Sequence, residues 1–483
     1  MKEGNNVMKR GSGVLMHISS LYGDFSCGSF GNSAREFIDF LCESGFSYWQ
    51  VLPFCMVDEC NSPYKSYSAF AGNPYFIDLE VLCRKGLVTR EELDESRQKT
   101  PYSCEYERLS KERFLLLKKA SERVKCRKEI EDFVKENPYV DKFTRYMALK
   151  AENAGNTWNK WTCEQVNNNI LFAWKFIQYE FFSEWSDIKK YANSKGIKII
   201  GDIPIYVAYD SSDVWGERDM FLLDEDGKPQ AVAGVPPDYF AKDGQLWGNP
   251  LYDWDKMKAD GYRWWTDRIK HMLKLFDGVR IDHFRALESY YSIPYGEDTA
   301  KNGVWMKGPG REFIDKLKCV AGDSLIIAED LGDITHEVYE LVKYSGFPGM
   351  RVFQFAFLSN DSIHRPHNYE NNCVAYTGTH DNNTLLGYVW ELDEDTRRTM
   401  LSYCGYEDED WDNGYENIIK TMLGSSAGLV IIPIQDLLGY GSDTRLNTPG
   451  KPDGNWSYRI TKEQLSTIDR GKYRYLNSIY GRI

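Results

Sequence analysis

Short apolar runs alternate along the chain with longer stretches of helical periodicity. The apolar runs are rich in Val, Ile, Leu and aromatic residues, which favour buried strands. Most of them are followed by Gly, Pro, Asn or Asp and then by a helical pattern, as repeated βα units require. Eight strands are predicted in this way, at residues 13–17, 48–52, 197–203, 278–282, 325–329, 351–355, 374–377 and 429–434.

The number of strands and the helices between them predict the fold class. Parallel strands joined by helices form an open sheet or a closed barrel, and eight of them favour a (β/α)8 TIM barrel. A chain of 483 residues is long enough for such a barrel with insertions, or for two to three smaller domains. We therefore expect an α/β protein in which residues 1–483 form a single (β/α)8 domain.

Two long gaps between predicted strands indicate insertions. Residues 85–190 are rich in Glu, Lys, Arg and aromatic residues at helical spacing, which predicts a mainly helical subdomain between strands 2 and 3. Residues 205–262 predict a loop-rich insertion that covers the cleft at the C-terminal face of the barrel. Within it, residues 234–250 show neither helical nor strand periodicity and predict an aromatic loop.

The end of the chain limits the architecture further. After the eighth strand only about 50 residues remain, too few for an appended β-sandwich of about 100 residues. The predicted fold therefore has no C-terminal β-sandwich.

Charge and cysteine content narrow the range of partners. Lys and Arg number 59 and Asp and Glu number 72, so the net charge of −13 disfavours a nucleic-acid partner. The 11 cysteines show no C-x-x-C spacing, which favours a reducing compartment over a disulfide framework or a zinc site. Residues 14–18 are too short for a signal-peptide core, and no run is long enough to span a membrane. We expect a soluble cytoplasmic protein.

Three carboxylates stand at or just after the ends of predicted strands. They are Asp282, Glu329 and Asp381. The C-terminal tips of the strands are where (β/α)8 barrels place catalysis. Acidic groups that converge on one pocket suit glycosidic-bond chemistry, which needs a proton donor and a nucleophile or base.

The residues before these carboxylates suggest different protonation states. Arg280 and Asp282 point to the same side of a strand, and an arginine keeps an aspartate ionised, as a nucleophile requires. Glu329 follows an apolar run, and desolvation raises a carboxyl pKa, which suits a general acid. A structural salt bridge is the alternative explanation for each of these two carboxylates.

The pair His380-Asp381 is less specific by itself. An aspartate that caps a helix beside an incidental histidine is the alternative, whereas in a barrel the pair can hydrogen-bond adjacent sugar hydroxyls. Three carboxylates and two histidines also match a divalent metal site, although Arg280 would compete with a cation. The chain has no G-x-x-x-x-G-K-[ST], G-x-S-x-G or H-E-x-x-H motif.

At these residues the sequence resembles the 4-α-glucanotransferases, also called amylomaltases or disproportionating enzymes, of glycoside hydrolase family 77 in the α-amylase clan. The resemblance extends over essentially the whole chain. It depends on seven segments that occur in the family's order: residues 62–74, 201–207, 236–250, 279–285, 328–332, 376–382 and 445–450.

The resemblance implies a role for each candidate site residue. Asp282 matches the nucleophile, Glu329 the general acid/base, and Asp381 the third carboxylate, which stabilises the transition state. Arg280, His380 and His283 match residues that support catalysis around the donor sugar. The implied substrate contacts are Tyr64, Asp202, Ser62, Gln245, Trp247 and Asp238.

The resemblance also implies the reaction. A segment of an α-1,4-glucan would pass to the 4-hydroxyl of another glucan or of glucose, by a retaining double displacement through a covalent glucosyl-aspartate. The implied partners are maltooligosaccharides, fragments of amylose, starch or glycogen, and glucose as acceptor, with no cofactor and no metal. A plain α-glucan hydrolase and a non-catalytic glycan-binding protein on the same scaffold are the alternatives, and product analysis separates them.

Overall fold

A closed barrel of eight parallel strands forms the centre of the computed structural model, which describes residues 9–237, 242–406 and 414–483. The strands of these residues are β1 Gly11–Leu15, β2 Tyr48–Gln50, β3 Lys198–Ile203, β4 Ala231–Val235, β5 Gln245–Pro250, β6 Gly278–Ile281, β7 Ser289–Pro294, β8 Val304–Lys307, β9 Leu325–Ala328, β10 Gly349–Val352, β11 Cys373–Tyr376 and β12 Leu429–Pro433. The barrel follows the order β1-β12-β11-β10-β9-β6-β3-β2. The (β/α)8 prediction is confirmed.

Each predicted strand overlaps one barrel strand. The largest difference is at the sixth, which was placed at 351–355 and is observed as β10, Gly349–Val352. Its ladder to β11 ends at the pair Val352 and Tyr376, and the following residues Phe353–Phe355 turn into a short 3-10 helix. The sequence pattern predicts a strand here because these residues are mostly apolar, and a short apolar run does not distinguish a strand from a helical turn.

Burial explains the strand composition. Parallel strands of a barrel are covered on both faces and therefore read as almost continuous apolar runs. Every residue of β12 and of β11 is buried. Two polar residues of the barrel strands, Asp202 on β3 and Arg280 on β6, are also buried, and they pair with one another at the C-terminal end of the barrel.

The first and last strands close the barrel. β1 pairs in parallel with β12, with Gly11 opposite Leu429. The buried side chain of Arg482 lies at this seam and donates to the carbonyl oxygens of Gly11, at 2.7 Å, and Ala427, at 3.2 Å. A single guanidinium group thus connects β1 to the segment that leads into β12.

Helices surround the barrel. The α-helices of the described residues are α1 Asn32–Glu43, α2 Leu79–Arg84, α3 Arg90–Glu95, α4 Tyr106–Glu122, α5 Lys128–Glu136, α6 Pro138–Glu152, α7 Asn168–Ser194, α8 Ser212–Gly216, α9 Trp254–Ala259, α10 Arg263–Leu275, α11 Gly310–Ala321, α12 His336–Ser345, α13 Leu385–Glu391, α14 Glu394–Tyr403, α15 Gly414–Gly424, α16 Ile434–Leu438, α17 Lys462–Thr467 and α18 Arg470–Ile479. Short 3-10 helices lie at Ile18–Ser20, Pro74–Phe76, Trp158–Lys160, Arg218–Met220, Phe284–Leu287, Phe353–Phe355, Pro366–Asn368 and Ser442–Thr444.

The segment between β2 and β3 is mainly helical. It contains α2 to α7, and the 27-residue helix α7 packs against α4, α5 and α6 and also against α1. Trp185 of α7 is buried and donates its indole N–H to the carbonyl of Leu275 at 2.9 Å. Helix α7 therefore joins the insertion to the barrel, and the division of residues 85–190 into a subdomain stays a prediction.

The interpretation of residues 234–250 as an aperiodic loop is wrong at both ends, since Gly234 and Val235 end strand β4 and Gln245–Pro250 form strand β5. β5 pairs antiparallel with β4, and β4 with β7, in a four-stranded sheet of order β5-β4-β7-β8 beside the barrel. Gly248 with φ of 74° and a register shift in β4 interrupt the strand pattern, so the pairing is not visible in the sequence. Within the described ranges, no helix is both long and apolar enough to cross a lipid bilayer.

Candidate active site

A buried arginine connects two of the predicted acids. Arg280 donates one N–H to Asp282 Oδ1 and another to Asp202 Oδ2, both at 2.7 Å. The register of the barrel sets this contact, because Asp202 of β3 lies directly opposite Arg280 of β6. Asp282 follows β6, and its side chain is 28% exposed. Its carboxylate is therefore paired with the arginine and still accessible from the cleft.

The loop after β2 reaches the same cluster. Tyr64 donates its hydroxyl to Asp202 Oδ2 at 2.7 Å. Ser62 accepts the backbone N–H of Tyr64 at 3.3 Å, and its own N–H donates to Asp58 at 2.8 Å. Asp58 and Ser62 therefore fix the turn that presents Tyr64, and the structure connects Ser62 to the acids through Tyr64.

Glu329 follows β9, which is the neighbour of β6 in the barrel. Its carboxylate accepts the backbone N–H groups of His283 at 2.6 Å and Leu331 at 3.0 Å, and only 8% of the residue is exposed. Burial raises the pKa of Glu329 to about 8, with Asp282 acting in the same direction and Arg280 in the opposite one. At neutral pH this carboxyl therefore carries a proton.

His283 owes its position to an uncommon backbone conformation. Its φ of 52° lies in the left-handed region, where a non-glycine residue is strained. This turn directs the His283 N–H to the Glu329 side chain, while the next N–H, of Phe284, donates to the Glu329 carbonyl at 3.1 Å. Burial lowers the pKa of the His283 imidazole to about 4, so the ring is neutral.

Asp381 is the opposite case among the acids. It follows β11 on a loop, its side chain is 43% exposed, and its Oδ2 lies 3.2 Å from His380 Nε2. Burial alone would raise the pKa of Asp381, but His380 and the amide of Asn447 lower it well below its usual range. Burial lowers the pKa of His380, but the neighbouring Asp381 carboxylate raises it by more, so the pKa of His380 is raised. Asp381 is therefore ionised.

Aromatic rings enclose His380. Tyr64 stacks on it with ring centroids 5.1 Å apart and planes inclined by 16°. Trp456, from the segment after α16, lies 5.7 Å from His380 and 5.8 Å from Tyr64. The three rings pack together beside the Arg280 cluster, which Tyr64 joins through Asp202.

The antiparallel sheet contributes on another side. Trp247 of β5 meets His283 edge to face, with ring centroids 4.9 Å apart. Its indole N–H donates to Gln245 Oε1 at 3.1 Å, and Gln245 is exposed. The predicted contact Asp238 falls in residues 238–241, outside the described part of the chain.

Three contacting residues have no role in the sequence interpretation. Asn447 donates to Asp381 Oδ1 at 2.6 Å, Arg445 donates to the Asp381 carbonyl at 2.6 Å, and Trp456 packs on His380. The motif at 445–450 belongs to the family resemblance, but it lies in an aperiodic segment 64 and 66 positions from Asp381, so no local pattern joins them. The family motif at 445–450 marks this segment in the sequence, but it assigns no role to Arg445 or Asn447.

Among the described residues, no group of three or more His, Cys, Asp or Glu side chains is placed to hold a metal ion. The space between Asp202 and Asp282 is occupied by the guanidinium of Arg280. Two acids on adjacent strands remain available for chemistry, a protonated Glu329 and an arginine-paired Asp282. This arrangement suits chemistry that breaks and remakes glycosidic bonds.

The fold and the site thus define a class, the carbohydrate-active (β/α)8 barrels. Residues 16–465 match the model of the family described as 4-alpha-glucanotransferase. The 4-alpha-glucanotransferase of Clostridium butyricum is 44% identical over 489 residues, which cover 97% of this chain and 100% of that one. That of Aquifex aeolicus is 42% identical over 488 residues, covering 98% and 99%. The chain belongs to the 4-α-glucanotransferase family.

A solved structure agrees with this result. The amylomaltase from Streptococcus agalactiae in complex with acarbose superposes with a TM-score of 0.94 at 36% identity, over 98% of this chain and 100% of that one. An amylomaltase from Corynebacterium glutamicum shares the fold, with a TM-score of 0.81 at 17% identity. The chain is accordingly a transferase that acts on α-glucans.

Proposed function

We propose that Glu329 and Asp282 carry out the transfer of an α-1,4-glucan segment to the 4-hydroxyl of another glucan or of glucose. The observation that supports this assignment best is the contrast between the two acids. Glu329 is buried and protonated, whereas Asp282 is exposed to the cleft and paired with Arg280. A retaining transfer needs such a proton donor and such a nucleophile on the two sides of one bond.

In the first step, Glu329 donates its proton to the glycosidic oxygen while an Asp282 oxygen attacks the anomeric carbon. The bond between that carbon and the glycosidic oxygen breaks, and the departing glucan leaves with a new 4-hydroxyl. The product is a covalent glucosyl-Asp282 and an ionised Glu329. The two backbone N–H groups on Glu329 stabilise this negative charge until the second step.

In the second step, the 4-hydroxyl of the acceptor gives its proton to Glu329, and its oxygen replaces Asp282 at the anomeric carbon. Two displacements on the same carbon restore the α configuration. Glu329 is protonated again and Asp282 is again a free carboxylate. The cycle consumes no cofactor, and we assign no metal to it.

The other predicted residues hold the donor sugar. Asp381 and His380 accept and donate hydrogen bonds to its hydroxyls, and such bonds strengthen in the transition state. Tyr64 offers a flat ring beside them, and Arg280 orients Asp282. His283 and Asp202 support these groups from the strand ends, while Ser62 supports Tyr64.

Transfer rather than hydrolysis requires that an acceptor glucan outcompetes water. The insertion at residues 205–262 carries Trp247, which packs on His283 beside Glu329. An aromatic cover at this place excludes water and offers a stacking surface to the acceptor. We assign Trp247, Gln245 and Asp238 to this part of the cleft.

The expected substrates are maltooligosaccharides and fragments of amylose, starch or glycogen, with glucose as acceptor. We place the enzyme in the cytoplasm, with no nucleic-acid or membrane partner. The 11 cysteines, all in the described part of the chain, are free thiols, which agrees with a reducing compartment.

Incubation of the enzyme with maltotriose alone tests the proposal. We expect glucose together with maltopentaose and longer chains, with little gain in total reducing ends. A steady rise in reducing ends would instead indicate a hydrolase. The variant E329Q is the control and should form no products. A glycan-binding protein without turnover would instead leave maltotriose unchanged with the native chain as well as with E329Q, and amylose likewise.

A further inference from the structure

The loop that carries Asp381 is held by a segment distant in sequence. Asn447 donates its side-chain amide to Asp381 Oδ1 at 2.6 Å. Arg445 donates to the backbone carbonyl of the same residue, also at 2.6 Å. One residue of the loop is thus held at both its carboxylate and its main chain.

The two holding residues are joined to each other. Arg445 Nε donates to the carbonyl of Asn447 at 2.7 Å, and the Asn447 N–H donates to the carbonyl of His380 at 3.2 Å. The segment therefore fixes His380 and Asp381 together. A displacement of Asn447 would move both the amide that meets the carboxylate and the N–H that meets the loop.

The two oxygens of Asp381 have different partners. Oδ2 faces His380 Nε2 at 3.2 Å, and Oδ1 accepts from Asn447. The side chain is 43% exposed, and each carboxylate oxygen has two lone pairs, so the carboxylate can accept further hydrogen bonds. The carboxylate is accordingly fixed in rotation and remains open to a ligand.

We propose that Asn447, anchored by Arg445, is the positioning residue for Asp381 in glucan transfer. The proposal rests on the role assigned above to Asp381. Asn447 acts through that carboxylate, by fixing the direction in which its oxygens meet the sugar hydroxyls. Bonds that matter most in the transition state are sensitive to such alignment, so its loss lowers kcat more than it changes KM.

A neighbouring asparagine provides a matched control. Asn455 accepts the Thr448 N–H at 2.9 Å and donates to the Lys451 carbonyl at 2.7 Å. It stabilises the turn of the same segment through the backbone. N455A therefore removes the same kind of amide from the same segment. This amide supports the fold of the segment and makes its bonds away from Asp381.

The test compares N447L, N447D and N455A with maltotriose, together with a melting temperature for each variant. We expect N447L to lower kcat by about 10–100-fold with a much smaller change in KM. N455A lowers the melting temperature but leaves kcat within about twofold per folded enzyme. N447D has nearly the shape of the native side chain, so it also serves if N447L folds poorly.

The pH dependence of N447D separates positioning from a structural role. The charged and titratable groups around Asp381 are His380, Arg280, Arg445 and Tyr64, and these are the same in every variant. At high pH the carboxylate introduced in N447D repels the Asp381 carboxylate. As the pH falls, these two carboxylates together bind one proton, and the resulting O–H can donate to Asp381 in place of the lost amide. The activity of N447D relative to the unchanged enzyme therefore rises as the pH falls, whereas the ratio for N447L stays constant.

Two results would overturn the inference: kcat of N447L within about twofold of the unchanged enzyme, or an equal loss of kcat in N455A. E329Q and D381N are measured in the same experiment, so that a wrong role for Asn447 can be distinguished from a wrong proposed function. If those two variants keep full activity, the proposed function fails. If they are inactive while N447L is fully active, only the role of Asn447 is wrong.

Discussion

The tip of β9 and the loop after β11 each present an acid to the cleft, but they control it by opposite means. At the end of β9, Glu329 is buried, and burial raises its pKa to about 8. After β11, Asp381 is half-exposed, and His380 and Asn447 overcome the effect of burial and lower its pKa. One carboxyl is protonated by its environment, and the other is kept ionised by its partners.

This difference teaches where each function is encoded. The state of Glu329 follows from the position at which a buried strand ends, which is a property of the barrel itself. The state of Asp381 depends on its neighbour His380 and on Asn447 from a distant segment, so it needs the complete fold. Substitutions should therefore separate the two acids in rate, in pH dependence and in stability.

The largest effect is expected for E329Q. Loss of the general acid and base should lower kcat with maltotriose by about 10²–10⁴-fold. With α-maltosyl fluoride, whose leaving group needs no protonation, the first-turnover release of fluoride should return toward the unchanged rate. A maltosyl adduct on Asp282 should then accumulate, because its transfer to an acceptor still lacks the base. Mass spectrometry of the peptide that contains Asp282 checks this, and an adduct on another residue would contradict the nucleophile assignment.

D381N should reduce kcat by about 10²–10³-fold, because it removes a charge that stabilises the transition state. Here the fluoride donor should bring no recovery, since the lost interaction does not concern the leaving group. Fluoride release measured for both variants under one condition is the direct comparison. Equal rescue of the two variants would mean that the acids do not have separate roles.

The pH profile of kcat/KM sharpens the contrast. Glu329 donates only while protonated, so activity should fall about tenfold per pH unit above its pKa of about 8. D381N should leave this alkaline limb in place at its lower overall rate, since Asp381 is ionised throughout that range. An alkaline limb that persists unchanged in E329Q would assign it to another group.

Stability should show the smallest effect, with opposite signs. The folded-state pKa of Glu329 is raised, so its contribution is favourable below its unfolded pKa and is lost as the pH rises toward about 8. Relative to the unchanged protein, the unfolding free energy of E329Q should therefore rise by on the order of 1–3 kcal/mol between acid and alkaline pH. It starts from a reduced value in acid, because the introduced amide nitrogen cannot accept one of the two backbone N–H groups. The pKa of Asp381 is lowered, so D381N should lose a smaller, solvent-screened amount at neutral pH and approach the unchanged protein in acid. Urea unfolding at several pH values measures both.

Local pattern was enough to predict the barrel and two of its acids. Each strand is a buried apolar run, and Asp282 and Glu329 follow such runs directly. The pairing of β5 was missed because Gly248 and a register shift disturb its period, and its partner β4 is defined only in three dimensions. Asn447 and Trp456 were missed for a related reason, since they reach the site from a segment without periodicity.

The seam between β1 and β12 has a consequence for how the protein is made. Arg482 and Gly11 are 471 positions apart, yet they share a hydrogen bond that closes the barrel. At a synthesis rate of about 5–20 residues per second, β1 waits roughly 20–80 s for β12 to be translated. Until then β1 lacks its final partner, and exposed apolar strands with open edges favour misassembly. We therefore expect closure of the barrel to be a late step of folding, because it requires β12 and Arg482.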